Sequence, residues 1–143
     1  MSKPYQLACP VARSLEVVGD RWTLLIVREL LLEPLRYTQM QALLGGIPPN
    51  LLADRLRLLE DEGIVDRVEP RGYTLTDKGR EIAPVLDALA VWGMRHYDEP
   101  PSALAHHRGC GGTVRLTHTC SACGATVDLA DLDLVTPGEG RPR

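Results

Sequence analysis

The sequence predicts a mainly α fold of the α+β class, on three observations. Two helical stretches meet at a short glycine turn, Gly45-Gly46. An alternating apolar stretch and its return follow directly and predict a two-stranded hairpin. Beyond residue 100, glycine and cysteine become frequent and helical periodicity ends, which predicts a separate small module. The order helix, turn, helix, hairpin is that of a winged helix-turn-helix, with the hairpin as the wing.

Composition limits the class of protein. With 143 residues and 44% hydrophobic content, the chain can bury the core of one ordinary domain plus a small appendage. It has no apolar run that could span a bilayer, and its N-terminus lacks a signal-peptide pattern, so we expect a cytoplasmic protein without a membrane partner. The net charge of −3 counts against nucleic-acid binding. However, the arginines cluster in the middle of the chain and the acidic residues towards its end, which leaves room for a local basic face.

The helices before the glycine turn follow from apolar spacing and capping signals. Residues 11–18 and 21–32 predict two helices separated by Gly19-Asp20, and the second is apolar on most sides and should cross the core. Pro34 ends that helix. Thr38, with Gln41 three residues later, forms a capping-box pattern that predicts the start of a third helix.

The helix after the glycine turn begins at Pro49-Asn50 and can continue to about Glu62, before Gly63 ends it. A helical projection gives it two unlike sides. Its apolar side consists of Leu51, Leu52, Leu56, Leu58 and Leu59, and its opposite side of Asn50, Ala53, Asp54, Arg57 and Asp61. The leucines are therefore expected to pack, and the polar side is free to contact a partner. Arg55 lies at the edge of the packed side, where we expect a structural ion pair.

The elements after this helix complete the first domain. Residues 64–68 and 73–75 predict the two strands of the wing, joined by a turn at 69–72. Thr76 is expected to cap one further helix that continues to about Tyr97 and that Pro84 can kink.

Candidate DNA contacts follow from the way a helix-turn-helix binds. Its second helix lies in the major groove, while the preceding helix and the wing contact phosphates. Asn50, Ala53 and Arg57 are therefore candidates for base edges, with Arg57 suited to guanine and Asn50 to adenine or a phosphate. The other candidates are Pro49 at the helix start, Thr38 and Gln39 on the supporting helix, and Arg67 and Arg71 in the wing. The alternative is that these arginines form an ordinary solvated surface.

Several short motifs carry a family resemblance. They are Cys9-Pro10-Val11-Ala12, the stretch 19–26 (GDRWTLLI), Arg36-Tyr37, Gly46-Ile47, Pro49-Asn50-Leu51-Leu52, Arg55-Leu56, Leu59, Gly63 and the stretch 73–79 (YTLTDKG). Over about residues 8–93 the chain resembles the HxlR-type winged-helix regulators of bacteria. The resemblance implies a cytoplasmic homodimer that binds operator DNA with two symmetry-related recognition helices. It also implies a response, in several members, to electrophiles, oxidants or small metabolites.

The resemblance further implies dimerisation through the first helix and the helix of residues 82–97. Val85 and Trp92 are candidate interface residues, although an apolar stripe of this kind could equally be monomer core. An effector would enter between this long helix and the DNA-binding core, and would change the distance between the recognition helices.

Cys9 stands at the position where some members of the family carry a sensing thiol. It is therefore a candidate redox sensor. Its sequence neighbours give no sign of an activated thiol, since Arg13 is the nearest cation at helical spacing. The alternative is a plain buried thiol.

The remaining cysteines suggest a metal site. His107 and Cys110, like Cys120 and Cys123, are separated by two residues and followed by glycine, the pattern of a zinc knuckle. Four such ligands would make a closed, structural Zn²⁺ site in a zinc-ribbon-like module, with strands at 113–117 and 126–129. This segment has too few apolar residues to fold without a stabilising metal or cross-link. His106 and His118 are alternative ligands, and a Cys120–Cys123 redox pair or free thiols are alternative states of the cysteines.

The predicted organisation is thus a winged-helix DNA-binding and dimerisation domain at 8–98, a zinc-ribbon-like module at 104–135 and a flexible tail at 136–143. We expect a DNA-binding transcriptional regulator, a repressor by default, that binds double-stranded operator DNA as a homodimer and responds to a small molecule or a redox signal. The alternative is a winged-helix module for protein interaction. The sequence has no catalytic motif, and a four-ligand zinc has no open position for a substrate, so we expect no enzyme.

Overall fold

The computed structural model describes residues 5–98 and 106–133. The chain divides into two units, one within 1–100 and one within 101–143. The elements of the first unit are α1 (Pro10–Val18), α2 (Thr23–Leu32), α3 (Tyr37–Leu44), α4 (Pro49–Asp61), β1 (Val65–Val68), β2 (Gly72–Leu75), α5 (Asp77–Arg80) and α6 (Ala83–His96). The predicted order of helix, turn, helix and two-stranded wing is confirmed.

The core of the first unit is formed mainly by side chains of α2 and α4, with others from α3 and the wing. Its most buried side chains include Ile26, Val27, Leu30, Met40, Leu52, Leu56 and Leu59, none of which is more than 2% exposed. Burying each such side chain contributes about 1.5–3 kcal/mol. The predicted passage of α2 through the core is therefore confirmed, and so is the packing of Leu52, Leu56 and Leu59. Helix α2 begins at Thr23, two residues later than predicted, because Trp22 has a left-handed backbone with φ of 80°.

The start of α3 differs from the prediction. The helix begins at Tyr37, so Thr38 already lies inside its first turn and cannot cap it. The Gln39 side-chain oxygen instead accepts a hydrogen bond of 2.8 Å from the backbone N–H of Arg36. The predicted Thr38–Gln41 capping box is therefore wrong, because the glutamine nearer the helix start reaches the free N–H first.

The long helix predicted after the wing is two helices. Thr76 caps the first of them as predicted, since its hydroxyl oxygen accepts a 3.1 Å hydrogen bond from the N–H of Gly79. The prediction of one continuous helix is wrong: α5 ends at Arg80 and α6 begins at Ala83. Pro84 explains the break, because it has no N–H to donate to the carbonyl group of Arg80 one turn earlier.

The wing is an antiparallel hairpin in which Val65 pairs with Leu75 and Val68 with Gly72. Its second strand is also tied to the segment before α3: Leu35 and Tyr73 exchange two backbone hydrogen bonds, of 3.0 and 2.8 Å. Gly72 is required at this contact, since its φ is 91° and a Cβ there would lie 2.6 Å from the carbonyl oxygen of Leu35. The base of the wing is therefore fixed to the helix-turn-helix.

Between residues 106 and 133, the second unit contains a short hairpin, β3 (His118–Thr119) paired with β4 (Thr126–Val127), followed by a 3-10 turn at Leu129–Asp131. The predicted strand at 113–117 is wrong, because only Thr113 pairs, and it does so with His106. The N–H of Gly124 donates a 2.8 Å hydrogen bond to the carbonyl oxygen of Cys120 and closes a turn. This turn brings Thr119 opposite Thr126 instead. The predicted domain boundaries stay predictions.

Candidate nucleic-acid interface

The exposed side of α4 is the centre of the candidate interface. Asn50, Asp54 and Arg57 are exposed and Ala53 is half-buried, whereas the leucines behind them are buried or half-buried. This division follows from the sequence, since apolar residues recur at helical spacing along one side only. The structure thus places the predicted base-contacting residues on one solvent-facing surface, with exposed Pro49 at its start.

Arg57 has an acidic neighbour on this surface. Its Nη1 lies 3.3 Å from Oδ1 of Asp54, three residues earlier on α4, and the two side chains are 70% and 64% exposed. Solvent screens such a pair, and exposed pairs contribute about 0–1 kcal/mol. The guanidinium group can therefore leave Asp54 for a better acceptor at small cost.

The two helices of the helix-turn-helix are joined at their N-terminal ends. The hydroxyl group of Tyr37 donates a 2.7 Å hydrogen bond to the carbonyl oxygen of Pro49, which fixes the start of α4 against the start of α3. Thr38 and Gln39 are exposed beside this contact. Because the Gln39 oxygen already accepts from Arg36, its amide group remains the donor available for a phosphate.

The wing carries the other two candidate arginines. Nε of Arg67 lies 3.3 Å from Oε1 of Glu69, and its guanidinium group lies 5.8 Å from the ring centre of Tyr73. Arg71 is exposed at the hairpin turn, close to where Nε of Arg36 donates a 3.0 Å hydrogen bond to the carbonyl oxygen of Pro70. Arg36 therefore fixes the tip of the wing to the start of α3.

The positioning roles of Arg36 and Tyr37 were not predicted. In the sequence, both residues stand out only as the motif Arg36-Tyr37. The available signal was their position immediately before the supporting helix, but spacing along the chain does not show which distant carbonyl group a side chain reaches.

The expectation for Arg55 is confirmed. Its Nη1 lies 2.8 Å from Oδ2 of Asp20, and the two side chains are 17% and 34% exposed. Arg55 is therefore turned away from the base-contacting surface and towards the turn between α1 and α2.

A groove of about 1150 Å³ lies beside α1, α2 and α6. We call it the α1–α6 groove. Its apolar lining includes Val11, Leu15, Leu25, Val85 and Leu89, and its charged lining includes Arg13, Asp20, Glu62 and Lys78. This is the region in which an effector was predicted to bind.

Arg13 connects α1 with the end of α4 at this groove. Its guanidinium group lies 3.0 Å from Oε2 of Glu16 and 3.1 Å from Oε1 of Glu62. The hydrogen bond to Glu16, and to a smaller extent the one to Glu62, raises the pKa of Arg13. Lys78 donates to the carbonyl oxygen of Glu62, so the end of α4 is held by cations from two helices.

The predicted metal ligands form two pairs. Nδ1 of His107 lies 3.3 Å from Sγ of Cys110. Hydrogen bonds from the backbone of Cys123 and Ala122, and from the Cys123 side chain, lower the pKa of Cys120. Across residues 5–98 and 106–133, however, His, Cys, Asp and Glu side chains form no group of three that could hold a metal ion.

The alternative ligands give no larger group. Nδ1 of His106 lies 3.0 Å from the carbonyl oxygen of Gly111, and His118 pairs with Val127 in the short hairpin. All four predicted ligands are at least partly accessible, since Cys120 is half-buried and the others are exposed.

Cys9 is exposed at the N-terminal end of α1, directly before Pro10. Its side chain makes no capping hydrogen bond. The alternative that it is a buried thiol is therefore wrong for the single chain, because the helix begins just after it and leaves it outside the core.

Comparison with known proteins agrees with this geometry. The HxlR-like helix-turn-helix family model matches residues 17–101. Rv3095 of Mycobacterium tuberculosis, an HTH-type transcriptional regulator, is 37% identical over 139 residues, which cover 91% of this chain and 85% of the relative. YvaP of Bacillus subtilis, another HTH-type transcriptional regulator, is 36% identical over 67% of this chain and 94% of its own.

Solved structures give the same result. PA1607, described as a candidate transcription factor, is 34% identical with a TM-score of 0.74, over 91% of this chain and 96% of its own. Quinone-bound YodB of Bacillus subtilis is 33% identical with a TM-score of 0.56, over 61% and 98%. The redox regulator HypR in its reduced form is 28% identical with a TM-score of 0.57, over 63% and 95%.

The helices described here do not include one that is both long and apolar enough to cross a membrane. The helix-turn-helix geometry, the family match and the similar regulators all lead to one assignment. The chain belongs to the HxlR-like helix-turn-helix family and is a transcriptional regulator of the helix-turn-helix type.

Proposed function

We propose that this protein is a cytoplasmic repressor that binds a two-half-site operator as a homodimer. One observation carries the proposal: α4 presents Asn50 and Arg57 on an exposed surface whose opposite side is anchored in the core. A rigid helix with donors on its free side is what the major groove admits. Thr38, Gln39, Arg67 and Arg71 are the proposed phosphate contacts.

DNA binding is tested by fluorescence polarisation. The labelled duplex is taken from the promoter region upstream of the protein's own gene. The proposal predicts saturable binding that weakens as salt rises, because phosphate contacts release counterions. Binding that does not change between two salt concentrations, or no binding, would contradict it.

The alternative, a winged-helix module for protein interaction, has some support. The net charge is −3, and Asp54 and Glu69 lie beside Arg57 and Arg67. The same titration, repeated with a scrambled duplex of equal length, decides between the two functions, since a protein-interaction module has no reason to prefer either duplex.

The proposed dimer interface consists of α1 and α6. All residues of α6 remain at least partly exposed in the single chain, and Val85, Leu89 and Trp92 are about half exposed. An amphipathic helix left uncovered in this way is typical of an interface between subunits.

Size-exclusion chromatography with light scattering tests the dimer. We expect twice the chain mass for the wild type and a monomer for Leu89→Asp, because a carboxylate would then be buried in the interface. Leu32→Asp is a matched control, since Leu32 is 65% exposed and does not line the α1–α6 groove. A wild-type monomer, or a dimer that survives Leu89→Asp, would rule out this interface.

Repression is the proposed output, because a dimer bound across a promoter blocks access to that DNA. A reporter fused to the bound promoter should gain expression when this protein is deleted. A loss of expression would make the protein an activator instead.

The proposed effector binds between α6 and the DNA-binding core, and Cys9 is the proposed thiol for a redox signal. YodB bound to a quinone and the redox regulator HypR support this extension to the present chain. Benzoquinone added to the protein–DNA complex should release the DNA, and Cys9→Ser should prevent this release if Cys9 carries the signal. Release that is unchanged in Cys9→Ser would exclude Cys9 as the sensor.

We further propose that His107, Cys110, Cys120 and Cys123 hold a structural Zn²⁺. Between residues 106 and 133, every residue is exposed except Cys120 and Val127, which are half-buried, so this segment has no apolar core of its own. A metal bound by two knuckles would supply the missing stability.

Metal analysis of protein purified from zinc-supplemented cells tests this site. One zinc per chain is expected in the wild type, and less than half of that in Cys110→Ser. Cys9→Ser is the matched control and should keep its zinc. A zinc-free wild type, or full occupancy in Cys110→Ser, would contradict the assignment.

A further inference from the structure

The turn between α1 and α2 contacts the recognition helix through one side chain. Asp20, in this turn, forms the 2.8 Å ion pair with Arg55 of α4. The turn itself has a restricted backbone: Trp22 has φ of 80°, which residues with a side chain rarely adopt. The guanidinium group of Arg21 lies over the Trp22 ring, 5.3 Å from its centre.

The contact with Asp20 leaves Arg55 few alternatives. The Arg55 side chain is 17% exposed, and its Nε is buried without a hydrogen-bond partner in the described part of the chain. One contact, from Nη1 to Oδ2 of Asp20, therefore compensates this half-buried charge. Removing Asp20 would leave the charge without that compensation, which favours a shift of Arg55 and of the helix that carries it.

The two ends of α4 are held by other contacts. Tyr37 donates to the carbonyl oxygen of Pro49 at the start, and Arg13 pairs with Glu62 at the end. Neither contact lies in the middle of the helix, where Arg55 is two residues from Arg57. Leu52, Leu56 and Leu59 fix which side of α4 is packed. The pair with Asp20 adds a polar contact between the two held ends, which restricts the rotation of the helix about its axis and so the direction in which its exposed side chains point.

We propose that Asp20 and Arg55 are a positioning pair that sets the rotation of α4 and thereby the fit of its exposed side to base edges. The inference rests on the proposed function, because it assumes that α4 contacts DNA. Neither residue contacts the DNA in this account. Asp20 also lines the α1–α6 groove, so an occupant of that groove can alter the pair and, through it, operator affinity.

The test compares Asp20→Asn, Arg55→Gln and the double variant with the wild type. Each is titrated with a duplex that the wild-type protein selects from a random library and with a scrambled duplex of equal length. Each titration is repeated at several salt concentrations. Urea unfolding gives the folded fraction, and affinities are expressed per folded protein. Arg80→Gln, which removes an exposed charge outside the proposed DNA-contacting set, is the control.

We expect both single variants to bind the selected duplex about tenfold more weakly, within the usual range of coupling between sites. Binding to the scrambled duplex and the slope of affinity against salt should stay unchanged, because no phosphate contact is lost. The double variant should be no weaker than either single variant, since both changes break the same contact. Arg55→Lys should recover much of the affinity, because one Nη1 makes the observed contact.

Three results would overturn the proposal. A smaller salt slope in Arg55→Gln alone would make Arg55 a phosphate contact. Reduced stability with unchanged affinity per folded protein would make the pair merely structural. Additive losses in the double variant would show that the two residues act separately. If the wild type selects no duplex, the proposed function itself fails.

Discussion

Replacing Arg57 by glutamine tests the proposed base contact. A guanidinium group that binds guanine through two hydrogen bonds contributes about 1–3 kcal/mol of discrimination. Arg57 must first leave Asp54, and a pair whose side chains are 70% and 64% exposed costs at most about 1 kcal/mol to break. With central values of about 2 kcal/mol for the base contact and about 0.5 kcal/mol for the ion pair, the net loss is about 1.5 kcal/mol for each protomer. For two half-sites it doubles to about 3 kcal/mol, which corresponds to roughly 100-fold weaker binding.

Fluorescence polarisation on the selected duplex measures this loss, and a set of duplexes with single base changes shows where it arises. Arg57→Gln should lose its preference at one position of each half-site and keep its preference at the others. Its urea unfolding should match that of the wild type, because an exposed pair adds little stability. Equal losses on all duplexes would refute a base contact and make Arg57 a phosphate contact. Arg80→Gln controls for the loss of one positive charge.

Three further predictions concern the framework and the cysteines. Gly79→Ala should unfold at clearly lower urea concentration than the wild type, since the new Cβ would lie 2.2 Å from the carbonyl oxygen of Ile64. A wild-type midpoint would contradict the close packing of Gly79 against Ile64. Tyr37→Phe should bind the selected duplex more weakly with little change in stability, because the 2.7 Å hydrogen bond that fixes the start of α4 is lost. Wild-type affinity in this variant would show that the hydrogen bond does not position the helix. In zinc-free folded protein, iodoacetamide should modify Cys120 at lower pH than in urea-unfolded protein, since a lowered pKa keeps the thiolate at lower pH. Mass spectrometry over a pH series gives both profiles for Cys120, and modification of the folded protein only at the same or a higher pH would contradict the hydrogen bonding at this thiol.

Local patterns predicted the helix-turn-helix and the wing well. The helix predicted from Pro49 to about Glu62 is observed at Pro49–Asp61, because an uninterrupted apolar side, an N-terminal proline and a following glycine all indicate the same element. The helical projection also identified Arg55 as an ion-pairing residue. It could not identify Asp20 as the partner, since contacts between distant segments depend on packing and not on spacing.

The errors lie where two local signals compete. At α3, two glutamines could each have capped a helix start, and the one nearer the start, Gln39, does so. After Thr76, apolar spacing continues through Pro84, but the missing N–H of proline breaks the helix there. In the second unit, alternation predicted a strand at 113–117, but without an apolar surface to pack against, the turn after Cys120 determines the pairing.

Selection of duplexes from a random-sequence library by the full-length protein shows whether two α4 helices bind DNA as a symmetric pair. If a symmetric pair of α4 helices reads DNA, the enriched sequences contain an inverted repeat whose half-sites lie about 10–10.5 base pairs apart, or a multiple of that distance. Enrichment of a single unrepeated motif, or of no motif at all, would contradict the account.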